Sequence, residues 1–189
     1  RKNIDKWDDH PKFKFIEHDI IHPINIQAEK IWHLACPASS NNYKKDAIKT
    51  SLTNSIGTYN VLELATKNKA KILLSSTSEI YGNSCSDFLE ESNFGYVNPN
   101  GLKSCYSEGK RFAESLCLDF LRSHKTQIRI ARIFNIYGPR IKKNDGRVIS
   151  NFINQAISQK ALTIHGTGEQ SRCFCYIDDI VEGLILTAK

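Results

Sequence analysis

Residues 13–18, Phe-Lys-Phe-Ile-Glu-His, alternate apolar and polar side chains, the period of two expected of a half-buried strand. Ile31-Trp32-His33-Leu34-Ala35 is more continuously apolar and predicts a second strand, closed by Pro37. From about Asp46 to Lys67, apolar positions Ile48, Leu52, Ile56, Tyr59, Leu62 and Ala65 recur at helical spacing, with Lys67 and Lys69 near the end where cations suit the dipole. A strand over residues 71–76 then runs out of apolar residues and delivers Thr77, Ser78 and Glu79 into a turn. A polar loop over 83–103 leads to a helix over 104–123, a strand over 127–133, a helix over 147–159, short strands over 162–164 and 172–177, and a last helix over 178–188 with Asp178 as candidate N-cap. Strands separated by helices of this length predict an α/β fold with a parallel sheet, in which ligands collect at the carboxyl ends of the strands. Three such ends carry polar residues, His33, Thr77-Ser78-Glu79 and Asn135, which reads as one site.

The 189 residues suffice for a domain with a core, and no apolar run reaches the roughly 20 residues that span a bilayer. No apolar leader follows Arg1, and the chain contains no Met, so it reads as a piece of something longer. A net charge of +6 could serve nucleic acid, a phosphorylated metabolite or nothing specific. The lysines are scattered rather than striped with aromatics, so nucleic acid is not expected as a partner. Cys36, Cys85, Cys105, Cys117, Cys173 and Cys175 include no C-x-x-C, and the pair Cys173-Phe-Cys175 makes a poor zinc site. Reduced thiols and no metal are expected, which suits a reducing compartment.

Tyr106 and Lys110, at i and i+4, share one helix face. A phenol beside a cation ionises more readily, and a hydroxyl such as Thr77 next to both would complete a proton relay for oxidising or reducing a carbinol carbon. By itself the spacing is also what a structural helix pair gives; the polar strand end about thirty residues upstream adds the weight. Gly166-Thr167-Gly168 lacks a third glycine and a following helix, so it reads as a turn rather than a phosphate loop. Asp19 could touch an adenine edge or be a loop aspartate. Asn54 falls mid-helix, where asparagine is mildly unfavourable, and reads as a polar group working under the site. Arg140, Arg147 and Arg172 are candidate phosphate or carboxylate partners, each alone equally a surface charge.

His33-Leu34-Ala35-x-Pro37-Ala38-Ser39, Thr53-Asn54-x-x-Gly57-Thr58-x-Asn60, Ser75–Gly82, Tyr106-x-x-x-Lys110-Arg111-x-Ala113-Glu114, Arg132-Ile133-Phe134-Asn135-x-Tyr137-Gly138-Pro139-Arg140 and Tyr176-Ile177-x-Asp179 together resemble the extended short-chain dehydrogenase/reductase family of nucleotide-sugar enzymes. Within it, Ser76-Thr77-Ser78-Glu79, Cys105-Tyr106-x-Glu108-Gly109-Lys110-Arg111 and Asn144-Asp145-Gly146-Arg147 are most similar to the UDP-glucuronate decarboxylase branch. Ser78 stands where the 4,6-dehydratases of the family carry an aspartate. The resemblance implies a Rossmann-like doubly wound parallel sheet lacking its first βαβ unit, with residues 1–134 in the NAD-binding part and 135–189 in a sugar-nucleotide-binding region. It implies catalysis by Thr77, Ser78, Glu79, Tyr106, Lys110 and Arg172. It also implies NAD contacts from Asp19, Leu34, Ala35, Pro37, Asn54, Ser75, Tyr106 and Lys110, and UDP-sugar contacts from Asn135, Arg140, Arg147, Asn151 and Arg172.

The implied reaction is conversion of UDP-glucuronate to UDP-xylose through a 4-keto sugar, in a homodimer of the cytoplasm or, with an amino-terminal anchor, the Golgi lumen. The family's Gly-rich turn would precede Arg1, so the piece by itself is expected to bind NAD poorly and to be inactive. A sister 4,6-dehydratase or 4-epimerase, or a non-catalytic nucleotide-sugar binder, remains the alternative.

Overall fold

The computed structural model describes residues 3–83, 88–141 and 146–189; Arg1, Cys85, Asn144 and Asp145 lie outside them. Strands β1 (Lys30–His33), β2 (Lys71–Thr77) and β3 (Ile128–Ile133) form a parallel sheet in that order. Trp32 pairs with Leu73, and Leu73 with Arg129. A second parallel pair, β4 (Asn135–Tyr137) and β5 (Phe174–Tyr176), follows directly after β3. The helices are α1 (Ser40–Lys45), α2 (Ala47–Leu52), α3 (Thr58–Asn68), α4 (Ser104–His124), α5 (Val148–Ile157) and α6 (Ile177–Thr187). Among the described residues, no helix is long and apolar enough to cross a membrane.

The core follows from the strand period. Alternate residues Ile72 and Leu74 of β2 and Ile128 of β3 turn to one face, where Val61, Leu62 and Ala65 of α3 and Ala113, Cys117 and Phe120 of α4 cover them. Burying a side chain such as Leu62 or Leu74, both 0% exposed, contributes about 1.5–3 kcal/mol. Burial pushes the Cys117 thiol up to about 12, so it behaves as an apolar side chain. On the opposite face, Trp32, Leu73 and Arg129 lie alongside Ala188 and Lys189 at the end of α6. Helices α3 and α4 both close on a left-handed lysine, Lys69 and Lys125, where glycine is commoner, and the hydroxyls of Thr66 and Thr126 join the two ends at 2.7 Å.

Several elements differ from expectation. Residues 13–18 and 162–164 form no strand and join neither sheet; at the second, the Gln155 side chain accepts the Thr163 N–H at 3.1 Å in place of a ladder bond. The last helix starts at Ile177, so Tyr176 rather than Asp178 occupies its N-cap. The helix expected over 46–67 is interrupted by a π turn, Thr53–Gly57, between α2 and α3. There Asn54 is 1% exposed and its amide donates to the Thr50 carbonyl at 3.0 Å. The backbone of α4 lies against it at Gly109, where an added Cβ would stand 2.9 Å from the Asn54 Cβ and Nδ2.

His33 ends β1 but turns under the sheet rather than into a site. It is 4% exposed, and its Nε2 meets the Thr58 hydroxyl at 3.0 Å. Burial, with the Lys110 ammonium nearby, lowers its pKa to about 4.

Two outcomes are expected. Gly109→Ala forces α4 away from the π turn and destabilises the fold by about 1–3 kcal/mol in urea unfolding. Because the folded-state pKa of His33 is depressed, the stabilisation linked to its neutral form is fully present above pH about 6.5 and is lost as pH falls towards about 4, by a total on the order of 3 kcal/mol. Unfolding midpoints measured across that window fall in the native chain and fall less in His33→Gln.

Candidate active site

The parallel strands end together, and their exits open a cleft of about 270 Å³. Leu34, Cys36, Ala38 and Ser39 line it after β1; Ser75 to Glu79 line it at the end of β2; Ile133 to Ile136 line it at β3 and β4. From the side, α4 contributes Tyr106 and Lys110, preceded by Lys103, and Arg147 enters from the start of α5. The strand that runs out of apolar residues at Ser75 therefore meets the helix face carrying Tyr106 and Lys110, as the spacing predicted.

The Thr77–Tyr81 turn is held from several sides. Thr77, extended at φ −150, accepts the Glu79 N–H at its own hydroxyl, 3.2 Å away, and so opens the tight turn Ser78–Tyr81. Beyond it, Gly82 and Gly95 have positive φ, and a Cβ on Gly82 would stand 1.9 Å from the Tyr96 carbonyl oxygen. That close approach lets Tyr96 N–H donate to the Tyr81 carbonyl at 3.0 Å. Arg111 of α4 donates to the carbonyls of Ile80 and Phe94, at 3.0 and 2.6 Å. Arg132 of β3 donates through Nη1 to the Tyr81 hydroxyl and the Glu91 carbonyl, both at 2.9 Å, and through Nε and Nη2 to the Glu114 carboxylate.

Protonation states differ from the simple relay. Burial raises the Tyr106 phenol above its ordinary value; a hydrogen bond from Thr77 pulls it down and the Glu79 carboxylate raises it further. Lys110 is 2% exposed, its ammonium donates to the Ser75 carbonyl at 2.8 Å, and burial lowers its own pKa. The phenol is thus protonated at neutral pH, with Thr77 close enough to offset part of the effect of burial.

Other candidates fall at different distances from this centre. Asp19 and Ala35 line a neighbouring hollow that meets the cleft at Cys36, and Asp19 is ion-paired with Lys49. The two hollows adjoin at Cys36, next to the end of β1. Pro37, half-buried, flanks Cys36 and accepts from its thiol at 3.4 Å. Asn54 lies beneath, its amide also reaching that thiol. Asn135 and Arg147 are on the cleft wall, whereas Arg140, left-handed at φ 69, lines a separate hollow beside Tyr137, Ile149 and Tyr176. Asn151 is half-buried on α5 and is not on the cleft wall. Arg172 is exposed, donates to the Ser171 carbonyl at 2.6 Å, and is not among the cleft-lining residues either.

Tyr43 and Lys103 are among the lining residues that the sequence did not point to. Tyr43 of α1 stacks on Tyr106, with ring centroids 5.3 Å apart and planes 9° from parallel. Nothing in the sequence marks that contact. Lys103 stands 3.8 Å from the Glu79 carboxylate. Its place three residues before Tyr106, on the same helix face, was a readable signal.

The model of the NAD dependent epimerase/dehydratase family matches residues 13–189. UDP-glucuronic acid decarboxylase 3 of Arabidopsis thaliana is 53% identical over 98% of the chain, which covers 54% of that protein. UDP-glucuronic acid decarboxylase 1 of Xenopus tropicalis is 47% identical over 98% of the chain, covering 44% of it. The chain therefore spans about half the length of the curated relatives it matches. Among solved structures, UDP-glucuronic acid 4-epimerase of Bacillus cereus, in complex with UDP-glucuronic acid and NAD, superposes with a TM-score of 0.82 at 30% identity, over 97% of this chain and 58% of that one. The dTDP-glucose 4,6-dehydratase of Bacillus anthracis shares the fold, with a TM-score of 0.80 at 23% identity over 99% of this chain and 58% of that one. Parallel strands ending at a Thr77-Tyr106-Lys110 cleft, and a match that runs through all of them, place this chain in the NAD dependent epimerase/dehydratase family.

Proposed function

We propose that the protein of which this chain forms about half converts UDP-glucuronate to UDP-xylose, with NAD as a cofactor regenerated in each cycle. The observation that carries the reading is the grouping of Thr77, Ser78 and Glu79 with Tyr106 and Lys110 on one cleft, in a chain about half identical to proteins named for that decarboxylation. The path from Asp19 and Ala35 past Cys36 to Ser75, Tyr106 and Lys110 fits an elongated dinucleotide, with Leu34 and Pro37 beside it and Asn54 below. Bound NAD supplies the hydride acceptor at the sugar C4 and later returns the hydride.

As C4 is oxidised, Tyr106 takes the C4 hydroxyl proton while its own phenolic proton passes to the neighbouring Thr77 hydroxyl, which hands its proton on to solvent; the same path run backwards supplies the proton when the C4 ketone is reduced. The C4 ketone then stands β to the C6 carboxylate. The C5–C6 bond breaks, its electron pair passes to the ketone oxygen and carbon dioxide departs. A proton relayed from solvent past Ser78 and Glu79 completes C5. Ser78 has no acidity with which to expel a C6 hydroxyl, which favours decarboxylation over 4,6-dehydration. We assign Asn135 and Arg147, on the cleft wall, to the UDP end, and Arg140, Asn151 and Arg172 to the same end by the resemblance alone.

We place the boundary between the cofactor and sugar-nucleotide parts at 134/135, supported by the change of sheet between β3 and β4. Exposed Ile48, Ile56, Tyr59 and Phe112 on the α2–α4 side support a homodimer through these helices. The thiols of Cys36, Cys105 and Cys117 are free, which supports the cytoplasm as the setting. The similarity to a UDP-glucuronic acid 4-epimerase supports a second reading, epimerisation of the same uronate.

The whole protein, incubated with UDP-glucuronate and NAD, is expected to release carbon dioxide and form UDP-xylose by mass, and Tyr106→Phe to lower the rate at least about a hundredfold. A product of unchanged mass and inverted C4 would instead establish the epimerase.

A further inference from the structure

Tyr106 and Lys110 of α4, and Lys103 at its N-cap, all line the cleft. The two ammonium groups have opposite surroundings. Lys110 is buried and held by the Ser75 carbonyl. The Lys103 side chain is 57% exposed and lies 3.8 Å from a Glu79 carboxylate that is itself 47% exposed. A pair that long, in that much solvent, is loose, and its lysine can turn to another anion at little cost.

The reaction proposed above brings such an anion. Its substrate carries a carboxylate on C6, two bonds from the C4 carbon that Tyr106 addresses. Lys103 lies one helical turn from Tyr106, with a Cβ separation of about 5–6 Å at that spacing, and its long stem spans the remaining distance. Glu79, which closes the same side of the cleft, would repel an incoming carboxylate unless a cation stood between them. Resting on the decarboxylase reading, we infer that Lys103 determines the specificity of this site for a uronic-acid sugar nucleotide: its ammonium exchanges Glu79 for the C6 carboxylate.

The exposure of Lys103 matters to the chemistry. A buried cation would stabilise the substrate carboxylate more than the transition state, in which that charge is leaving, and so would slow the cleavage. A solvated ammonium orients the carboxylate weakly and is rehydrated as carbon dioxide departs. Once the C5–C6 electron pair has passed to the C4 ketone, the sugar no longer carries an anion there, and Lys103 returns to Glu79. Substrate and product thus differ in the one group this lysine reads.

The test uses the whole protein with NAD, in a Tyr106→Phe background that leaves substrate unreacted, and measures Kd for UDP-glucuronate and for UDP-xylose by calorimetry. Lys103→Ala is expected to weaken UDP-glucuronate about tenfold and UDP-xylose less than about twofold, while Lys103→Arg keeps UDP-glucuronate within about threefold of the parent background. Retained UDP-xylose binding shows in the same experiment that the variant is folded. Equal weakening of both ligands, or unchanged binding of UDP-glucuronate, overturns the inference. Carbon dioxide release with Tyr106 intact is a separate measurement: its absence overturns the decarboxylase reading, and the two Kd values still decide on Lys103.

Discussion

The guanidinium of Arg132 joins three pieces of chain that are far apart in sequence. It rises from β3, grips Glu114 of α4, and reaches the Tyr81 hydroxyl and the Glu91 carbonyl beyond the Thr77 turn. Its centre also lies 5.1 Å from the centroid of the Tyr81 ring. The Glu114 bond drives the guanidinium pKa still higher, so the charge is permanent. A pair of this kind contributes little net stability compared with an apolar substitute of the same shape, but stranding either partner costs several kcal/mol. Its value is geometric. Planar, forked donors fix the turn carrying Thr77 and Glu79 relative to the helix carrying Tyr106 and Lys110, and acid–base work tolerates little error in that relation.

The cleft was legible where chemistry and period coincided. Tyr106 and Lys110 share a helix face by spacing alone, and β2 announces its end by changing from leucine to serine and threonine. Asn54 stood out as a polar residue inside a helical pattern, and it does lie under the site. The π turn around it could not be read, because one extra residue in a turn leaves apolar spacing almost unchanged over so short a stretch. Residues 13–18 show the opposite failure: their alternation is clear, but they join neither sheet. Tyr43 was invisible because stacking on Tyr106 depends on how α1 folds back over the β1 exit.

The acid–base groups follow from burial more than from proximity. Tyr106 and Lys110 were expected to tune each other, yet both are shifted mainly by loss of water, each towards its neutral form. Lys110 then works through a neutral acceptor, the Ser75 carbonyl, which belongs to the strand that also presents Thr77. Helix and strand are thereby locked at the level of the reacting groups. The same burial moves His33 in the opposite functional direction, making a titratable side chain into a core one.

The π turn between α2 and α3 has a consequence for how this region can change over time. One surplus residue rotates everything on its amino-terminal side by about 100° relative to an uninterrupted helix. Ala47–Leu52 and Thr58–Asn68 are therefore two stretches in different phase, though they run on as one rod. Deleting any single residue of Thr53–Gly57 would restore regular winding and turn Thr50, now 0% exposed, out of its place beside α4. Residue number in this stretch is consequently constrained in its own right, apart from the packing of Asn54.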